Sequence, residues 1–437
     1  MLIQGRLLTD PDRPPEPGYL RIAPPTGERP AAIDEMRFGE MPTVAAPPDV
    51  GGRDRLIVPA FTDAHMHVPQ IDSVGCDGMP LLEWLDRVIF PAESWWERGA
   101  AVPASRTTAR RLLIEGTAGI AGYLTSHAEP SQAAVAFFAD RTPMRFHLGR
   151  AVMDRNAPES LTREDVERQR LTPSPSPLLS ALPDSSGGRH PDDPSPRRNV
   201  SANPRFAVAC RDELLAEVGW ALQERESSGG PPTFMQTHLA ETTPECELIA
   251  ELFPEAPHYT GVYGAAKLLG PRSLLAHGIY LSDDELRLIA ERDAVIVHCP
   301  TANLFLGSGL FDFDRAREHG VRVALGSDIA GGPDAAMPRV ARAAIETAKI
   351  RMLTGASPVY VPSPAEVWRL ITETNAAILG WPNAGVLREG AHADVLVLRV
   401  PESWFDEHLV GRLIYNWSSD LIEARIIDGR LVEPAAV

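Results

Sequence analysis

The sequence predicts an α/β fold: a closed (β/α)8 barrel of the TIM type, joined to a small β-sandwich domain built from both chain ends. Three observations lead there. Through the middle of the chain, apolar strand-length runs alternate with helical stretches, as repeated β–α units require. Many of these runs end on polar residues, which suits a barrel whose active site lies at the carboxyl ends of its strands. The two termini share a different texture, short apolar runs broken by Pro and Gly, and can pair with each other. A chain of 437 residues is long enough for a barrel with a satellite domain.

Taken in order, residues 1–58 contribute short strands such as Leu2-Ile3 and Tyr19-Leu20-Arg21-Ile22 to the sandwich. Residues 59–383 form the barrel, with strand-like runs from Ile57 to His67, Gly119 to Ser126, Phe146 to Met153, Phe234 to Leu239, Leu274 to Gly278, Ala294 to Cys299 and Val321 to Ser327. Ser282-Asp283-Asp284-Glu285 reads as a cap and acidic first turn opening a helix through Arg292. The stretch 172–203 breaks the pattern with seven prolines amid Ser, Gly and Asp, and is expected to be an irregular loop where the unit before the fourth strand belongs. Residues 384–437 complete the sandwich with strands at Ala393 to Leu398 and Leu421 to Ile427, and Asp428-Gly429 signals a type I′ hairpin turn.

Composition narrows the function classes. Hydrophobic residues at 44% and charged residues at 23% suit a folded globular chain. A net charge of −17 repels phosphate backbones and anionic lipid, so neither nucleic acid nor membrane is an expected partner. The first residues lack the charged-then-apolar build of a signal peptide and no long apolar run follows, so a cytoplasmic location is expected. Cys76, Cys210, Cys246 and Cys299 are far apart without a Cys-x-x-Cys pair, which predicts buried, reduced thiols.

The strand ends carry the chemistry. In His65-Met66-His67 the two imidazoles point to the same side of an extended chain and can meet one metal ion. Further strand ends offer His238, with Glu241 three residues on, then His277, then Asp328. His127-Ala128-Glu129 matches half of a zinc-site motif, but its Cys-x-x-Cys half is absent, so His127 reads as a support residue at the end of the second strand. His298, in Val297-His298-Cys299-Pro300, is assigned to packing or support of the site rather than to ligation.

With His-x-His on the first strand, a His on each of the fifth and sixth, and an Asp on the eighth, the chain resembles the amidohydrolase superfamily, the metal-dependent hydrolase type of barrel. The resemblance implies one zinc ion per chain held by His65, His67, His238 and Asp328, with His277 beside the metal holding its water. Binuclear members use a lysine after the fourth strand, whereas the two lysines here, Lys267 and Lys349, fall in helical stretches elsewhere. Zinc held by neutral imidazoles and one carboxylate keeps a position for water and lowers its pKa towards about 7. Asp328 can then accept the water's proton and Glu241 can protonate a ring nitrogen, making Glu241, His277 and Asp328 the expected catalytic residues.

Within the superfamily the resemblance sharpens to the guanine deaminase family. It is carried by Asp63 to Gln70, Leu81-Leu82-Glu83-Trp84-Leu85, Phe90-Pro91-Ala92-Glu93, Met153 to Pro158 and Asn303 to Phe311. It implies hydrolytic deamination of guanine to xanthine and ammonia in purine catabolism, a homodimer, and a free purine base gripped by Gln70, Arg205 and Phe206. An arginine can donate to O6 and N7 of guanine, an amide can serve a mixed edge and a phenyl ring can pack on the base. Two features depart from that family. Gly331-Gly332-Pro333 follows Asp328 where relatives carry Ser-Phe-Ser, and the Pro/Ser-rich loop stands in for the helix and strand that lead into Pro204. Deamination of another heterocycle, such as a modified purine, a pterin or a triazine, is the alternative. A catalytically silent scaffold is a further one, opposed by the complete ligand set.

Overall fold

The apolar run from Ile57 to His67 serves two sheets, with Ala60 as the break between them. The computed structural model describes residues 1–25, 30–39, 47–171, 196–355 and 360–437. Strands β1 (Leu2–Leu7), β2 (Glu16–Ala23), β3 (Ala32–Phe38) and β4 (Val50–Pro59) belong to the smaller sheet. Eight strands then follow in chain order around one sheet. They are β5 (Phe61–His67), β6 (Thr117–Leu124), β7 (Arg145–Val152), β8 (Arg198–Pro204), β9 (Phe234–Leu239), β10 (Ser273–His277), β11 (Val295–His298) and β12 (Arg322–Leu325). Every hydrogen-bonded neighbour in that sheet is parallel, with helices between successive strands, as expected of a TIM-like barrel. The predicted helix opened by Ser282 is present as Asp283–Glu291, with a reciprocal capping box between Ser282 and Glu285.

Closure of the barrel does not use an ordinary strand ladder. Between β5 and β12 the backbone bonds are Asp328 N–H to His65 O and His67 N–H to Ile329 O, both 2.8 Å. Lower down, Asp63 Oδ1 accepts from Ser327 N–H at 2.9 Å and its other oxygen from the Ser327 hydroxyl. At the far end, the buried Asn375 amide donates to Thr62 O at 2.8 Å and Leu325 O at 2.7 Å, and accepts from Leu325 N–H at 3.0 Å. Side chains thus supply the pairing that the two strands do not make with each other.

The chain ends do pair. Strands β13 (Val395–Arg399), β14 (Ile422–Ile427) and β15 (Arg430–Leu431) join β1 to β4 in one continuous seven-stranded mixed sheet, in the order β15-β14-β13-β4-β1-β2-β3. Ile3, Leu20, Ile33, Ile57, Val395 and Ile426 are among the residues of its separate apolar core. Asp428 and Gly429 have φ of 53° and 67°, the pair of positive values that a type I′ turn between β14 and β15 needs.

Several expectations are corrected. The irregular stretch placed at 172–203 ends sooner: 172–195 lie outside the described residues, but Arg198–Pro204 is the regular strand β8 and Glu159–Leu171 is a helix. The helix and strand thought to be replaced before Pro204 are therefore both present. Polarity hid the strand, because Asn199, Ser201 and Asn203 are buried with hydrogen-bonded side chains and do not read as apolar; Asn203, for example, donates to Gly122 O and Gly149 O. Cys210 and Cys299 are buried thiols, whereas Cys76 lies in the exposed turn Gly75-Cys76-Asp77-Gly78 and Cys246 is half-buried on the helix Thr243–Leu252. Lys267 lies in a left-handed turn after a helix, at φ 57°, rather than within one.

A buried ion cluster fastens the barrel to the smaller sheet. Arg145, which opens β7, donates through Nε and Nη2 to Asp394 Oδ2 at 3.0 and 2.8 Å, and Arg197 donates to Asp428 at 3.1 Å. Burial alone would raise the Asp394 pKa, but Arg145 and Arg197 outweigh it and hold this carboxyl below its ordinary 3.8. Asp394→Asn leaves two buried guanidinium groups short of a counter-charge and should cost about 3–5 kcal/mol in urea unfolding. Because the folded pKa is the lower one, the aspartate's contribution is complete above the ordinary carboxyl value and drains as pH falls below it. The stability gap between wild type and variant, followed by urea titration, should narrow below about pH 4.

Candidate active site

Four barrel strands deliver their terminal side chains to one point. His65 and His67 end β5, His238 lies near the end of β9, His277 ends β10, and Asp328 follows β12. The last two sit at positive φ, 73° for His277 and 49° for Asp328, so the chain turns sharply where their side chains leave it. The turn after Asp328 explains the Gly-Gly departure. Gly332 N–H donates to Asp328 O at 2.6 Å, and a Cβ on Gly332 would stand 1.9 Å from the Ser327 carbonyl oxygen.

One ligand atom from each of His65, His238, His277 and Asp328 lies within 4.8 Å of the others. His67 joins them through Nε2, 3.1 Å from His238 Nε2 and 3.3 Å from Asp328 Oδ1. Hydrogen bonds behind the rings decide which nitrogens face inward. His238 Nδ1–H donates to Arg205 O at 2.6 Å and His277 Nδ1–H to Asn303 Oδ1 at 2.9 Å, which leaves both Nε2 atoms as lone pairs pointing at the centre. Burial lowers His67 to about 4, and burial with the neighbouring His65 and His67 lowers His238 well below the usual histidine range, so both are neutral. Burial alone would raise Asp328, but the imidazoles of His65 and His67 reverse this and keep it well below the ordinary carboxyl value.

Lone-pair nitrogens this close repel unless a cation lies among them. His65 Nε2 and His277 Nε2 are buried without a hydrogen-bond partner among the described residues. Neutral imidazoles around a carboxylate are a donor set suited to a divalent metal of the zinc type, and the residues present fit such an ion.

Above this point opens a small pocket at the mouth of the barrel. His67, His238, His277 and Asp328 form its floor, and Gln70, Arg205, Phe206 and Glu241 line it together with Leu81, Trp84, Leu85 and Leu306. All nine residues singled out from the sequence thus come together, His65 lying beneath the others. Glu241 Oε2 is 3.4 Å from His277 Nε2, and its other oxygen accepts from Ser308 Oγ at 2.8 Å. Burial, with the charge of Asp328, pushes this carboxyl up to about 8, so it carries a proton at neutral pH. Phe206 is buried with its ring centre 6.3 Å from that of His238.

Residues that sequence reasoning missed stand just behind these. Tyr123 stacks on His67 at 4.7 Å, Asn303 fixes the His277 tautomer and Ser308 orients Glu241. Ser308 N–H also bonds to Asn303 O, so the short helix Pro300–Phe305 after β11, with the turn that ends it, positions both side chains. Glu93 lies under Gln70 and Arg205; in the sequence its stretch, Phe90-Pro91-Ala92-Glu93, stands out only as a family likeness, with no role attached to the acid. His127 immediately precedes the helix Ala128–Arg141 behind β6, without a side-chain bond to the helix end, and stays out of the pocket lining. His298 stacks on Phe311 at 4.7 Å, and burial lowers it to about 3; it packs as a neutral ring outside the ligand cluster.

The model for "Amidohydrolase family" matches residues 56–432. A guanine deaminase of Escherichia coli is 33% identical over 350 residues, covering 79% of this chain and 73% of its own. A guanine deaminase of Dictyostelium discoideum is 31% identical over 305 residues, and there the match spans 67% of this chain and 62% of the relative. Among solved structures, the guanine deaminase from C. acetobutylicum with guanine bound in its active site superimposes with a TM-score of 0.84 over 99% of both chains, at 22% identity.

Metal loading tests the centre. Protein stripped with a chelator should gain about 2.7 kcal/mol of stability when a divalent ion is restored at about 100 times its dissociation constant. His238→Ala should lose most of that gain. Melting curves indifferent to metal would remove the centre.

Proposed function

Since the chain belongs to the amidohydrolase family and, within it, to the guanine deaminases, we propose that it hydrolyses guanine to xanthine and ammonia with one zinc ion per chain. The observation that carries this reading is the join of two half-sites in one cavity: a lone-pair cluster around Asp328 on the floor, and Gln70 with Arg205 on the wall. His65, His67, His238 and Asp328 would hold the zinc ion, which would supply activation of water at neutral pH. The chain's own residues do the rest. Asp328 takes a proton from the attacking water, and His277, its tautomer set by Asn303, presents Nε2 to that water. Glu241 gives its proton to the ring nitrogen beside the amino-bearing carbon, which makes that carbon electrophilic. The proton taken up by Asp328 then passes to the amino group, which leaves as ammonia, while the proton of the added hydroxyl returns to Glu241 as the carbonyl forms.

Recognition follows from donors and acceptors. Arg205 donates to O6 and N7 of guanine, where adenine would present an amino donor and leave the guanidinium unpaired. Gln70 is held by Glu93 at Nε2 and by Ala330 N–H at Oε1, so its amide meets the base in one orientation. Phe206 and Trp84 offer apolar surface for the purine faces.

Ammonia release from a panel of aminated purines, pterins and triazines tests the assignment. Guanine should be hydrolysed and adenine should react poorly; activity confined to a pterin or triazine would overturn the substrate while sparing the hydrolase. Glu241→Gln should keep its zinc and lose at least about 100-fold in kcat, since general acid–base groups contribute roughly 10²–10⁴. Arg205→Ala should lower kcat/KM on guanine by roughly 10- to 150-fold at unchanged zinc content, the value of a charged hydrogen bond.

A further inference from the structure

We infer that Glu93 is a specificity-determining positioning residue: it aims Arg205 and Gln70 and cancels the arginine's charge, so that the pocket selects a neutral base bearing an O6-type acceptor. The inference rests on the reading above, in which those two residues face the base. Glu93 lies on the helix Phe90–Ser94 and is 1% exposed. Its oxygens accept from Arg205 Nη1 at 2.8 and 2.6 Å, and Oε1 also accepts from Gln70 Nε2 at 2.9 Å. Thr125 Oγ1 anchors its backbone carbonyl at 3.0 Å, and the guanidinium sits 5.3 Å from the Phe90 ring centre. One carboxylate therefore links both polar side chains of the substrate wall.

Two consequences follow. Both bonds to Arg205 use Nη1, so the guanidinium is held by one corner while Nε and Nη2 are not engaged by Glu93. Gln70, drawn to Glu93 by its nitrogen, cannot flip its amide without placing its oxygen against a carboxylate. The second consequence is electrostatic. A lone guanidinium in a cavity this buried would favour an anion, whereas the Glu93–Arg205 pair is neutral and matches an uncharged purine.

The test is equilibrium binding to the zinc-loaded protein of three non-reacting ligands: hypoxanthine, which is neutral and bears O6, unsubstituted purine, which lacks it, and urate, an anion at neutral pH. Wild type should bind hypoxanthine over purine by about 10-fold or more, the scale of a charged hydrogen bond. Glu93→Gln should bring that ratio to within about 3-fold and tighten urate by about 10-fold or more, as an unpaired guanidinium gains a counter-ion. Glu93→Asp keeps the charge but shortens the reach, so its hypoxanthine preference should fall while urate stays as in wild type; this variant serves if the glutamine variant does not fold. A merely structural role would weaken all three ligands alike, and that result, or an unchanged pattern in the variants, overturns the inference. A wild type with no preference for hypoxanthine over purine would instead overturn the role of Arg205 itself.

Discussion

The seam between β5 and β12 is the constraint on which the rest depends. Those strands must meet for the barrel to close, yet the bonds that join them come from the residues that make the site: Asp328 N–H reaches His65 O, and His67 N–H reaches Ile329 O. The geometry of the lone-pair cluster and the closure of the sheet are therefore one structural fact. Asp63 and Asn375 complete the seam lower down, each replacing backbone pairing with side-chain bonds. A loss at any of these positions opens the barrel where its chemistry sits. Such economy also accounts for the positive φ of Asp328, since its backbone must bond across the seam while its carboxylate turns towards the axis.

What could be read from the sequence was what recurs locally. Apolar runs ending on His65-Met66-His67, His238, His277 and Asp328 announced both a barrel and the strand ends that would converge, because strand period and barrel topology determine where such residues point. Glu93, Asn303 and Ser308 were illegible as site residues because each acts through a contact distant in the chain: Glu93 with Arg205, Asn303 with His277, Ser308 with Glu241. Strand β8 was hidden for a related reason, its polar side chains being satisfied by groups that only the folded barrel brings near. The exposure of Cys76 was not legible either, since its type suggests burial and only the folded segment around it decides otherwise.

Buried charge is handled in a consistent way. The chain as a whole carries a net charge of −17, yet several buried ions are paired: Arg145 and Arg197 with Asp394 and Asp428 beneath the barrel, Arg150 with Asp165 beside it, Arg205 with Glu93 in the pocket wall. Pairing lets rigid guanidinium groups hold loop and strand backbones together without making the cavity itself cationic. In the same economy the site's own carboxylates differ in protonation: Asp328 is held anionic by imidazoles, while Glu241, set against few donors, keeps its proton. Two acids on one cavity thereby take opposite roles.

The order of the smaller sheet bears on how the polypeptide is made. Strand β4 lies between β1, which precedes it, and β13, whose residues Val397 and Leu398 pair with Ile57 and Leu56. During translation β1 and β4 leave the ribosome early, and the second edge of β4 waits through the synthesis of the entire barrel. An open apolar edge of that kind is a template for association with other chains. The nascent protein is thus most vulnerable when nearly finished, and a message cut short before Val395 would yield a long product with that edge exposed.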